Sequence, residues 1–327
     1  AWNTYFTGFN SYTLTEGFYA SSTKGFSTKV NSGIDVRTAM FKDKNSNIAI
    51  AFEDFMDDQN FTDVVFSLKA NPEITNVPPV DEDLNTTIEK TGVYAFEDEW
   101  PKAGDYDMND VMIRYTSKVY KSILTNRIYK VVDEFTPLHR GGYLVNGFGY
   151  QLHNITNSDI SKVTIESPSY APKSQYMPGE TEAGQSHPTI LLFDNMAIFD
   201  NKEEEARKYT VTIQVNDVTS KSILPPYNPF IFVGSGQARG REVHLVKYPP
   251  TDKADLSLLG TGKDVSRPEE DLYYVSIDLM PFALNMPVSE FPIPEEGIRI
   301  DESYPKFATW VKSNGAQAKD WYKYPKK

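Results

Sequence analysis

Short apolar runs bounded by Gly, Pro, Asn and Asp recur along the whole chain, and this pattern leaves little room for anything but β-strands. They fall at 48–52, 64–69, 93–96, 111–115, 143–152, 162–166, 189–193, 209–215, 230–233, 241–246 and 272–279. The clearest, 209–215, alternates so that Val211, Ile213 and Val215 share one face. Helical periodicity is scarce. Near the C-terminus, Pro305 suits a first helical turn, Phe307, Trp310 and Val311 follow at three- and four-residue spacing, and Gly315 supplies a stop. The charged stretch 202–208 reads as at most one surface turn of helix. The expected fold class is therefore all-β: an antiparallel, jelly-roll-like β-sandwich with a short C-terminal helix over an edge or end.

Pro78 and Pro79, followed by Asp81, Glu82 and Asp83, mark 73–90 as a linker or long loop. Residues 1–72 are then a small β module and 91–327 a larger β domain, with a second long loop over 166–188. A module of that size sits near the lower limit for an independent core. Twenty Tyr and nineteen Phe suit pleated, half-buried surfaces. A net charge of −12 argues against nucleic acid and anionic membrane surfaces and in favour of cations. With no cysteine, thiolate catalysis, disulfides and cysteine zinc sites are out of reach. No apolar run is long enough to span a bilayer. The opening Ala1-Trp2-Asn3-Thr4 lacks a leader peptide, as a mature or trimmed exported chain would, so it is no argument for cytoplasm.

The chemistry lies in an internal repeat. Ala51-Phe52-Glu53-Asp54 returns as Ala95-Phe96-Glu97-Asp98. Each copy is followed by an acidic string that runs into an apolar strand, Asp58 to Asp63 in the first and Asp105 to Asp110 in the second. Oxygen-bearing side chains at every second position can converge in an irregular loop. Ca²⁺ takes six to eight such ligands at about 2.3–2.6 Å. The expected structural calcium ligands are Glu97, Asp98, Asp105, Asp107, Asn109 and Asp110 in the second loop. In the first loop they are Glu53, Asp54, Asp58, Asn60 and Asp63, where Asn60 and Thr62 make a weaker set. Magnesium, which retains its waters, fits less well. An EF-hand is excluded, because its sixth and twelfth positions would be Asp110 and Thr116, and strand rather than helix follows. The competing reading of either string is a solvated turn.

The string from Ala95 to Tyr115, with Gly104-Asp105-Tyr106-Asp107-Met108-Asn109-Asp110 at its heart, resembles the signature of LruC-domain proteins. So do Asn146-Gly147-Phe148-Gly149, Gly240-Arg241-Glu242-Val243-His244-Leu245, Pro281-Phe282-Ala283-Leu284-Asn285, Tyr304-Pro305-Lys306-Phe307 and Asp320-Trp321-Tyr322. The resemblance covers most of the chain from about residue 90 onward. It implies a β-rich exported protein, tethered to the outer membrane of Gram-negative gut bacteria as a lipoprotein in its full-length form, and it implies no activity.

Other constellations are weaker. His139, His153, His187 and His244 are scattered, and Gly234-Ser235-Gly236 matches no nucleotide loop or serine elbow. Tyr273, Tyr274, Trp310, Trp321 and Tyr322 would form a sugar platform only if exposed and coplanar. An acid–base carboxylate pair cannot be located from sequence. The first expectation is thus a non-enzymatic, calcium-binding surface protein for adhesion or structural display, with a glycan or surface protein as partner. A carbohydrate-binding protein and a glycan-processing hydrolase are the alternatives.

Overall fold

Strand alternation decides the layers of this protein. A computed structural model describes residues 38–42, 48–52, 64–68, 85–122, 127–219, 223–233 and 239–326. The chain divides into two units, residues 1–87 with 120–127, and 88–119 with 128–327. In the first, β1 (Thr38–Lys42), β2 (Ile48–Phe52) and β3 (Val64–Leu68) form an antiparallel sheet with β2 in the middle, and Ile48 and Ile50 are buried.

The remaining strands are β4 (Asn85–Phe96), β5 (Val111–Ser122), β6 (Arg127–His139), β7 (Asn146–Gln151), β8 (Ile160–Glu166), β9 (Thr189–Phe193), β10 (Tyr209–Thr219), β11 (Asn228–Val233), β12 (Glu242–His244) and β13 (Ala283–Met286). They form two sheets, ordered β13-β4-β5-β6-β10-β8 and β12-β11-β7-β9. The two layers meet through aromatic rings. Phe148 of β7 lies 6.3 Å from Tyr94 and from Phe96 of β4 and 5.5 Å from Phe135 of β6, while Phe193 of β9 lies 5.8 Å from Tyr209 of β10. Each such ring, fully buried, stabilises the sandwich by roughly 1.5–3 kcal/mol. Every residue of β7 and β9 is buried, because loops cover the outer face of the four-stranded sheet as well. One such contact sets Tyr176 edge-on to Phe232 at 5.9 Å.

The core also holds a carboxyl group. Asp133, on the inward row of β6, accepts hydrogen bonds from the Tyr150 and Tyr227 hydroxyls, both at 3.1 Å, and is 1% exposed. Burial pushes its pKa up to about 6, against the hydrogen bonds of Ser117, Tyr150 and Tyr227.

Three sequence expectations need correction. Residues 85–90 belong to β4 rather than to a linker, because the β-branched Thr86, Thr87 and Ile88 favour extended backbone. The run at 272–279 makes isolated bridges instead of a strand, since left-handed Tyr274 and Leu279 (φ 54° and 64°) break it. β1, β6 and β13 had no sequence forecast. The C-terminus carries two short helices, α1 (Ile300–Ser303) and α2 (Phe307–Lys312), where one was expected. Gly315, at φ 80°, closes α2 by donating its N–H to the Trp310 carbonyl at 2.9 Å. Among the described residues, no helix is long and apolar enough to cross a membrane.

Candidate metal centre

The acidic loop of the second repeat joins β4 to β5 and wraps around one buried side chain. Glu97, 0% exposed, accepts the N–H of Tyr106 on Oε2 at 3.1 Å and that of Met108 on Oε1 at 2.7 Å. Tyr106 and Met108 both take left-handed backbone (φ 58° and 64°), unfavourable for residues with a Cβ. That conformation turns alternate N–H groups onto the Glu97 carboxylate. Gly104 comes so close that a Cβ there would stand 2.2 Å from Glu97 Oε2.

Glu97, Asp105 and Asp107 each offer a carboxylate oxygen, and the three oxygens lie within 4.8 Å of one another. Asp107 is further held from afar, since the Gly297 N–H donates to its Oδ2 at 2.9 Å across 190 residues of sequence. Asn109 donates its backbone N–H to Asp107 Oδ1 (3.0 Å) and its Nδ2 to Asp107 Oδ2 (2.8 Å). Burial pushes Glu97 well above the usual carboxylate range, and the charged groups weighing most on it, Asp110, Asp107 and Asp105, are all acidic. Asp107 is raised by burial first and then by Asp105.

Asp98 and Asp110 form a second pair beside this trio, with the Asp110 charge still acting on Glu97. The Asp98 N–H donates to Asp110 Oδ2 at 2.8 Å, and Asn146 Nδ2 donates to Asp98 Oδ2 at 2.6 Å. Burial, then the Asp98 charge, pushes Asp110 up to about 7. Burial also raises Asp98. The six residues expected around one point are therefore divided, because neighbours such as Glu97 and Asp98 project in opposite directions from extended chain. Asn109 is turned by its Nδ2 toward Asp107, and its Oδ1 is buried without a hydrogen-bond partner. The first-loop residues Glu53, Asp54, Asp58, Asn60 and Asp63 lie outside the described residues.

The loop after β6 closes over the Asp98–Asp110 pair. The Gly141 N–H donates to the carbonyls of Asn109 and Asp110 (3.2 and 3.1 Å), and a Cβ on Gly142 would stand 2.2 Å from Asp98 Oδ2 and 2.9 Å from Asp110 Oδ1. Gly142→Ala should therefore cost about 1–3 kcal/mol in chemical denaturation. An unchanged midpoint would mean that the loop shifts freely. Sequence reasoning missed Gly142 and Gly297, which carry no local signal. Arg241, which donates to the Asp98 and Trp100 carbonyls at 2.6 and 2.8 Å, was visible only as part of a family motif.

The alternative sites fare differently. Tyr274 and Trp321 are 1% and 3% exposed, so the aromatic runs build core rather than a flat platform. A surface cleft lined by Arg114, Glu134, Glu204, Glu205 and Lys208 contains three glutamates, but Glu204 is paired with Arg114 and Glu134 with Lys208 at 2.8 Å.

Residues 126–322, more than half the chain, match a family described as a domain of unknown function, DUF4842. The chain belongs to the DUF4842 family. The match includes β6 to β13 and the C-terminal helices, while the acidic loop at 97–110 precedes it. This DUF4842 protein is also similar to a crystal structure titled as a "putative lipoprotein" from Bacteroides ovatus. The TM-score is 0.58 at 16% identity over 86% of this chain and 88% of that one. That likeness shows a shared fold. No curated protein matches the chain.

Proposed function

We propose that this DUF4842 protein is an exported, surface-displayed β-sandwich whose β4–β5 loop is closed by a structural calcium ion. It is tethered as a lipoprotein and serves adhesion or structural display rather than catalysis. The observation that carries the metal reading is the trio Glu97, Asp105 and Asp107, with three carboxylate oxygens inside 4.8 Å. A buried carboxylate costs several kcal/mol to ionise unless it is paired, and the strongest charged neighbours of Glu97 are acidic. A divalent cation removes that conflict and draws hard oxygen donors together. The surface-protein reading is supported by the fold shared with a protein titled as a lipoprotein.

The test is thermal melting in excess calcium and after chelation, with elemental analysis of the bound metal. The expected result is a large stabilisation by calcium and at least one ion per chain. Asp105→Ala combined with Asp107→Ala should lose most of the sensitivity to chelation. No bound metal and no shift would reduce the loop to a solvated hairpin, and equal sensitivity in parent and variant would refute the ligand assignment.

A further inference from the structure

Far in sequence from the acidic loop, four ionisable side chains meet where the long loop after β8 docks on β12. Arg239 Nε and Nη2 donate to Glu182 Oε1 and Oε2 at 2.9 and 2.7 Å, and Nη1 donates to Glu242 Oε1. Its guanidinium lies 5.1 and 5.0 Å from the ring centres of Phe230 and Phe232. Glu242, 0% exposed, also accepts the Thr251 N–H (3.0 Å) and the Thr251 hydroxyl (2.7 Å), and its Oε2 lies 2.8 Å from His244 Nε2. Arg239 and the two Thr251 donors hold Glu242 as a carboxylate. Burial raises its pKa, yet His244 and Arg239 bring it below the usual value.

The other His244 nitrogen is equally constrained. Nδ1 lies 2.7 Å from Asn228 Oδ1, and Asn228 Nδ2 donates to the Pro249 carbonyl at 2.9 Å. A carbonyl only accepts, which fixes the amide orientation and leaves an acceptor facing Nδ1. Both ring nitrogens of a 0% exposed histidine therefore face acceptors. A neutral imidazole, with one N–H, would set two lone pairs against each other on one side.

We propose that His244 is buried as the doubly protonated imidazolium, and that the quartet Glu182, Arg239, Glu242 and His244 is a charge-balanced latch holding two surface segments on β12. With the proton, two carboxylates face two cations. Without it, one negative charge is stranded in the interior. The latched segments are those of Gln185 and Thr251. Gln185 Nε2 donates to Glu182 Oε2 at 2.6 Å and to Thr251 Oγ1 at 3.2 Å, and the Asp252 N–H donates to Gln185 Oε1 at 3.0 Å. The ring of His244 packs on Phe230 (4.8 Å) and Tyr274 (5.0 Å). β11 thus presents no charge to it, and Tyr274, on which Glu242 and then Asp264 act, lies in ring contact with it. Burial pushes His244 below the ordinary imidazole value against the pull of Glu242, so the case for the proton rests on the two fixed acceptors, which a neutral ring cannot satisfy together.

A folded-state proton affinity above the unfolded value (about 6.5 for histidine) gives stability that is complete below that value. This stability is lost as pH rises through the folded value. The test is ¹⁵N NMR of the intact protein across pH 6 to 10, with His244 assigned by elimination using His139→Gln, His153→Gln and His187→Gln. Amide exchange at Thr251 is followed in parallel. Both ring nitrogens should carry protons at pH 7, and Thr251 protection, corrected for base catalysis, should fall about tenfold per pH unit once His244 titrates. A singly protonated ring at pH 7 would overturn the proposal. A doubly protonated ring with pH-independent protection of Thr251 would overturn the latch.

Discussion

Arg239→Met should cost the folded protein about 3–5 kcal/mol, the range for removing one partner of a buried ion pair. The Arg239 side chain is only 11% exposed and its partners Glu182 and Glu242 are 4% and 0% exposed, so water cannot replace it. Methionine keeps most of the apolar contact with Phe230 and Phe232, which leaves the loss chiefly electrostatic. Two carboxylates would then share one interior, with His244 as their remaining cation. Urea denaturation of parent and variant at neutral pH measures the difference. A loss under about 1 kcal/mol, the value of an exposed pair, would show that Glu182 swings out to solvent and that Arg239 does not hold the loop.

Asp133→Asn should stabilise the protein at pH 8 and do little at pH 4. The carboxyl titrates near 4 in an unfolded chain and at about 6 in the folded core. The folded state therefore binds the proton more tightly, and stability from this group is present below about pH 4 and lost as pH rises through about 6. The full effect is roughly 3 kcal/mol. Asparagine has the same shape and no charge, and the Tyr150 and Tyr227 hydroxyls can rotate to meet its amide. The difference between variant and parent should thus grow between pH 4 and pH 7 and then level. It isolates Asp133 from the loop carboxylates, which shift in the same direction. A variant less stable than the parent at pH 8 would mean that the ionised Asp133 is favoured by its three donors.

The sequence determined most of the strands, because period-two alternation and turn residues act over a few positions and need no distant partner. Ile48–Phe52 and Thr189–Phe193 were legible to the residue. It also determined that Glu97, Asp105 and Asp107 lie at the two ends of one hairpin loop. β6 escaped notice because its inward row contains Asp133, which breaks the apolar alternation and is tolerable only where Tyr150 and Tyr227 arrive from the facing sheet. Tertiary structure alone decided that Asp98 and Asp110 face Gly142 while Glu97 and Asp107 face one another, and that Gly297 donates to Asp107. The assembly of Glu182, Arg239, Glu242 and His244 is of the same kind. Each depends on groups far apart in sequence being desolvated together, where the low dielectric makes charge pairing and hydrogen-bond satisfaction decisive. Local pattern carries the backbone's preferences, and it carries no record of which charges will share an interior.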